Sequence, residues 1–161
     1  MPVIPSSPTS GTESASNSSM ATGTRPQKID PKQVRRFLAD ALKKAGAARK
    51  NLRIDEETAY QTAYQAMLKG SLALMLSYGQ RPRVQLGHHV AIIEFARKHL
   101  DPALAPTFAL FDRMRRKRND AFYDIALVTL AEAETAVKTA EDYLKAITLD
   151  IDKQLRAAQQ L

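Results

Sequence analysis

Apolar residues in this chain recur at steps of three and four, and nowhere do apolar and polar residues alternate long enough to make a strand. A fold built from such a pattern packs helix against helix. The first stripe is Val34, Phe37, Leu38, Ala41, Leu42 and Ala45. Asp30 stands before it as an N-cap carboxylate, Pro31 fills the first helical position, and Gln33 is placed to close a capping box, so a helix is expected to about Arg49. Asp55-Glu56-Glu57 then puts acids in a first turn, where the helix dipole favours them. From Ala59 to Leu76 the helical period continues toward Gly79, a C-cap residue just before Arg81-Pro82. With Leu74 and Tyr78 the second half of this helix is apolar nearly all round, which makes it the expected central helix.

Gly87-His88-His89 leads into a shorter third helix that ends near Asp101-Pro102. The fourth is expected from about Pro106, through Phe108, Leu110, Phe111 and Met114, to Phe122 and Ile125. Thr129 followed by Glu132 is a second capping box and implies a break near Val128. Leu130, Ala133, Val137, Ala140, Leu144, Ile147 and Ile151 then form a narrow, coiled-coil-like seam. The expected fold is all-α, an up-and-down bundle of about five helices without a strand.

Residues 1–28 are dominated by Ser, Thr, Pro, Gly and Asn. Such a segment buries too little apolar surface to offset a backbone entropy of roughly 1–2 kcal/mol per residue, so a disordered tail is expected there and the bundle in residues 29–161. Met1 and Met20 are alternative starts. The tail has neither the charged start nor the continuous apolar stretch of a secretory signal, and no run reaches the roughly 18 apolar residues of a membrane span; the cytoplasm is the expected compartment. With no cysteine there is no disulfide, thiolate metal site or thiol nucleophile, and no cofactor is expected.

The net charge of +7 is unevenly spread. Residues 1–119 carry 20 Lys and Arg against 9 Asp and Glu, a balance of +11, whereas residues 120–161 carry 4 against 8, a balance of −4. The two ends are therefore able to attract each other within a protomer or between protomers. The sharpest concentration is Arg113-Met114-Arg115-Arg116-Lys117-Arg118-Asn119-Asp120-Ala121-Phe122-Tyr123, which begins with five cations in six positions. Like charges one turn apart repel, so an acidic group is expected nearby, most naturally a phosphate.

The long apolar second helix, the Gly-His-His lead into the third, and an Arg118-Asn119 pair followed by Tyr123 resemble the HEPN domain family over roughly residues 55–146. That family's signature is an Arg, usually followed by a polar residue, with a His four to six residues later. The resemblance implies a dimeric helical bundle that binds RNA or a nucleotide, working beside a nucleotidyltransferase-type protein or in a toxin–antitoxin system. In its ribonuclease members it implies metal-independent cleavage, the Arg holding phosphate and the His moving protons in a cleft shared by two protomers. Tyr123 stands here where that His would be, and a phenol with a reference pKa of about 10 is a poor general base.

On this reading Arg118, Asn119 and Tyr123 are the candidate catalytic residues, and Arg113, Arg115, Arg116 and Lys117 the candidate nucleic-acid contacts. Arg115, Asn119 and Tyr123 lie four apart on one helix face, either as a phosphate-holding set or with Tyr123 packed across a dimer seam and bonded to Asn119. Arg118 is about 140° from Tyr123 around the helix, so joint action of the two on one phosphate calls for a second protomer, with the fourth or the last helix as the contact. His88 and His89 point about 100° apart and are expected to be a packed or capping pair. Basic residues from Arg35 to Arg53 line the polar side of helix one. Were that side to border the fourth helix, the joined surface would bind polyanions with steep salt dependence. Tyr60, Tyr64 and Tyr78 are expected in the core. Two other functions stay open: an active metal-independent ribonuclease, and a non-catalytic adaptor for an acidic protein partner.

Overall fold

The computed structural model describes residues 23–83, 88–122 and 127–160, and only the backbone of residues 119–122. Tyr123, Ile125, Gly87 and residues 1–22 therefore lie outside the described residues, as does the side chain of Asn119. Helix α1 spans Pro31–Asn51. Asp30 Oδ1 accepts from the backbone N–H of Lys32 at 3.1 Å and of Gln33 at 3.4 Å. The expected box is only half made, because the Gln33 side chain accepts from Gln27 Nε2 at 3.0 Å instead. The buried stripe of α1 is Val34, Leu38, Ala41, Ala45 and Ala48, narrower than expected, and Leu42 lies exposed beside it.

Helix α2, Glu56–Ser77, starts at Asp55, whose carboxylate accepts from Thr58 N at 3.2 Å. It is the central helix, packed on α1 and on the last helix along its length and touching the other two. Tyr60 and Tyr64 are buried in it, as expected, and Tyr78 is partly buried at its end. Gly79 follows with φ +74°, the left-handed conformation that turns the chain out of the helix.

The next residues correct the expected strand-free fold and the expected extent of the tail. Thr24–Pro26 (β1) and Gln80–Pro82 (β2) pair as an antiparallel ribbon with Arg25 opposite Arg81. Gln27 N donates to Gly79 O at 2.9 Å and Arg83 N to Gly23 O at 3.0 Å. Three residues per strand are too few for a period of two to show, and each strand ends in a proline.

Helix α3 spans His88–His99. A 3-10 turn at Pro102–Leu104, capped by Asp101, leads into α4, Ala105–Phe122. Helix α5, Leu130–Gln159, begins with the expected Thr129–Glu132 capping box. Its seam buries Ala133, Val137, Ala140, Leu144, Ile147 and Ile151 within the bundle, against α2 and α1. That seam is consumed inside one protomer and is not free to pair with a second one. At the centre Tyr64 and Tyr143 meet Phe111 edge-on, with ring centroids 5.7 Å apart in both pairs. The fold is thus an all-α, up-and-down bundle of five helices among the described residues, with one small ribbon at its edge. No helix of the described residues is long and apolar enough to cross a membrane.

Candidate functional site

The basic run occupies the second half of α4, and its cations do not share one face. Arg115 donates to Asp112 Oδ1 through Nε at 3.2 Å and Nη2 at 3.1 Å, and Arg116 Nη2 lies 3.4 Å from the other oxygen of that carboxylate. Lys117 Nζ donates to Glu132 Oε2 at 2.5 Å. Three of the five cations thus find acids within the protomer, one on their own helix and one at the start of α5. This corrects the expectation that the crowding requires an external anion for the whole run. Among the described residues, Arg113 and Arg118 have no carboxylate at ion-pair distance.

These two point into different hollows. Arg113 borders a hollow of about 420 Å³ with Tyr60, Lys117 and Glu132, so an acid is already present there. Arg118 turns toward α2, its guanidinium carbon 5.5 Å from the centre of the Tyr64 ring. There it lines a cleft of about 440 Å³ that collects residues from five elements: Lys44 from α1, Gln65, Leu68, Lys69 and Leu72 from α2, Pro82 and Arg83 at β2, His88, His89 and Ile92 from α3, and Arg118 from α4. Among the described residues, four permanent cations and two imidazoles line it, and no carboxylate does.

The chemistry within the cleft follows from these neighbours. Tyr64 OH and His89 Nδ1 are 3.2 Å apart, and the His88 and His89 rings meet edge-on at 4.6 Å. Burial of the His89 ring, reinforced by His88, Arg118 and Arg115, disfavours its imidazolium form and lowers its pKa. At neutral pH His89 is therefore a neutral imidazole, able to accept a proton. Burial pushes the Tyr64 phenol up, against the pull of Arg118 and Arg115, so it remains protonated. Behind the rim, Asp40 takes Lys69 Nζ at 3.0 Å and Lys44 Nζ at 3.7 Å. The hydrogen bond from Lys69 lowers the Asp40 carboxyl pKa, with Lys44 and Lys43 adding to it against desolvation. The Nε atom of Arg83 is buried and has no hydrogen-bond partner among the described residues.

Of the expected site residues, the structure brings Arg118 into a cleft and sets Arg115, Arg116 and Lys117 in ion pairs elsewhere on α4. Tyr123 and the Asn119 side chain lie outside the described residues. His89 is packed as expected, against Tyr64, whereas His88 is exposed and meets His89 edge-on; both also share the Arg118 cleft, which sequence spacing does not show. The one available signal was that helix one and the fourth helix were both basic; Lys44 and Arg118 do line one cleft. Among the described residues no cluster of three His, Asp or Glu side chains is placed to hold a metal ion. Neither a protein-family model nor a curated protein matches this chain.

Proposed function

We propose that this chain is a HEPN-like bundle that binds RNA or a nucleotide, with Arg118 as the phosphate contact of its Arg-rich helix. One observation carries the reading: among the described residues, the Arg118 cleft gathers Lys44, Lys69, Arg83 and two imidazoles and no carboxylate lines it. Polyanion binding needs such a surface, because each neutralised phosphate releases counterions. Arg113 adds field at the neighbouring hollow, whereas Arg115, Arg116 and Lys117 are partly spent on Asp112 and Glu132. Asn119 and Tyr123 keep the contact roles that the family resemblance implies. The homodimer and the nucleotidyltransferase-type or toxin–antitoxin partner belong to the same proposal, and the dimer must use a face other than the α5 seam.

The test is fluorescence anisotropy of a labelled RNA with the purified protein, between about 50 and 200 mM salt. The reading expects retention that falls steeply with salt and weakens more in Arg118→Ala than in Arg116→Ala. Absence of binding at the low-salt end by both RNA and a free nucleotide such as AMP overturns it and leaves an adaptor for an acidic protein as the remaining reading.

A second reading, metal-independent ribonuclease, is favoured by the neutral His89 imidazole in the Arg118 cleft, a better proton acceptor than the Tyr123 phenol. It expects labelled RNA to be cut in the presence of a chelator, with the cutting lost in both His89→Ala and Arg118→Ala.

A further inference from the structure

We infer that the cleft takes one nucleotide as a unit, its base on an aliphatic floor and its phosphate on the cationic rim, so that unpaired nucleotides are accepted and duplex is not. The inference rests on the RNA or nucleotide reading above and names its ligand more narrowly.

A site for phosphate alone needs only donors and positive charge. This one also has Leu68 and Leu72 of α2, Ile92 of α3 and Pro82 of β2 in its wall. The two leucines are half-buried, one side of each on the core and the other toward the cleft. A concave aliphatic surface under a rim of cations matches a ligand with a flat apolar body and an anionic end. Its volume of about 440 Å³ lies in the range of sites for single small molecules, roughly 300–1,000 Å³.

The number of charges selects among amphipathic anions. An acyl carboxylate brings one negative charge and asks for a closed apolar channel. Arg118, Arg83, Lys44 and Lys69, less the one charge of Asp40 behind the two lysines, leave an excess of three positive charges (four minus one) around an open cleft and suit a phosphate carried on a polar sugar. Arg83 lines the cleft, and its buried Nε has no acceptor among the described residues. On the cleft wall the exposed Gln65 offers an amide that both donates and accepts, as the edge of a base requires. A base held in a duplex cannot leave its stack to reach such a floor without unpairing, whereas a single strand or free nucleotide presents its faces.

The experiment titrates the wild-type protein by calorimetry with inorganic phosphate, ribose 5-phosphate and AMP. It then competes labelled single-stranded RNA with AMP and with a duplex of the same sequence. The expected result is AMP binding at least about ten-fold tighter than ribose 5-phosphate, with duplex failing to displace the single strand. AMP displacing the strand assigns the cleft to one residue of a chain, and AMP binding without displacement assigns it to a free nucleotide; both support the inference. Leu68→Trp, which fills the floor, should abolish the AMP preference while phosphate binding persists. If that variant fails to fold, the wild-type comparison still decides. Equal affinity for AMP and ribose 5-phosphate, or equal competition by duplex, overturns the inference and leaves RNA binding standing. No binding of any RNA or nucleotide overturns the reading beneath it.

Discussion

A methyl group added at Gly70 would overlap Leu144 Cδ2, and Leu144 is fully buried with Ala41, Ala45 and Ala66 around it. The close crossing of α2 and α5 is built on that missing side chain. Gly70→Ala is expected to destabilise the fold by about 1–3 kcal/mol through overpacking, more than the gain in helix propensity returns. Gly46, exposed in the middle of α1, has no atom within 4 Å of the same methyl group. Gly46→Ala should stabilise by about 0.5–1 kcal/mol, and urea midpoints of the two variants test the opposite signs. Sequence shows both as glycines inside helical patterns and cannot separate them, because the difference is made by a residue 74 positions away in one case and by solvent in the other. A buried hydroxyl pair obeys similar logic. Ser71 Oγ donates to Met67 O at 2.8 Å and so receives the Tyr143 hydroxyl, 2.5 Å away. Tyr143→Phe should cost about 1 kcal/mol, since Ser71 keeps its acceptor, whereas Ser71→Ala leaves a buried phenol unpaired and should cost about 1–3 kcal/mol. Equal losses in the two variants would contradict this direction of donation.

Glu132 ties two helices together. Its Oε1 accepts from Thr129 N at 3.3 Å and Thr129 Oγ1 at 3.1 Å, and its Oε2 takes Lys117 of α4. The capping half of this arrangement was legible, because a capping box is written within four consecutive residues. The Lys117 half was not, since it depends on how α4 meets α5. The same division holds for the elements at large. Five helices could be read because each carries its own apolar period and three of them a local start signal at Asp30, Asp55 or Thr129. The β1–β2 ribbon could not, because six residues in two distant pieces carry no period. Glu132→Gln is expected to cost about 0.5–1 kcal/mol at pH 7, a value kept small by solvent screening. The hydrogen bond from Lys117 is the largest influence on the Glu132 carboxyl and lowers it from its ordinary 4.5. A carboxyl depressed in the folded state stabilises above its unfolded value and loses that contribution as pH falls through the folded one. The gap between wild type and variant should therefore be full above pH 4.5 and narrow as pH drops below it, as read from urea midpoints along a pH series. A gap constant down to strong acid would show that the carboxylate charge is not what holds the joint.

Across the molecule, the basic front and the acidic last helix neutralise each other within one chain. Arg35 pairs with Asp152 at 2.5 Å and Arg49 with Glu141 at 2.6 Å, both from α1 to α5, and Lys117 with Glu132 repeats the pattern from α4. These pairs are half-exposed and each contributes little to stability, but together they decide where positive charge is left over. The asymmetry was plain in the sequence; its remainder was not, because the cationic cleft is assembled from positions 44 to 118 and no spacing joins them. Among the described residues, Asp40 is an acid near that cleft, behind Lys44 and Lys69. With its carboxyl pKa lowered by Lys69, it is ionised at neutral pH and subtracts one charge from the field an incoming phosphate meets. Asp40→Asn should then strengthen RNA binding by about three-fold at low salt, the effect of one unit charge about 7 Å away in a water-like medium. Screening shrinks that advantage, so wild-type and variant affinities should converge as the ionic strength approaches about 1 M. Anisotropy titrations of both proteins along a salt series measure this directly. Identical curves at every salt concentration would mean that the anion does not meet Lys44 and Lys69, and the phosphate would have to be sought on the Arg113 side of α4 instead.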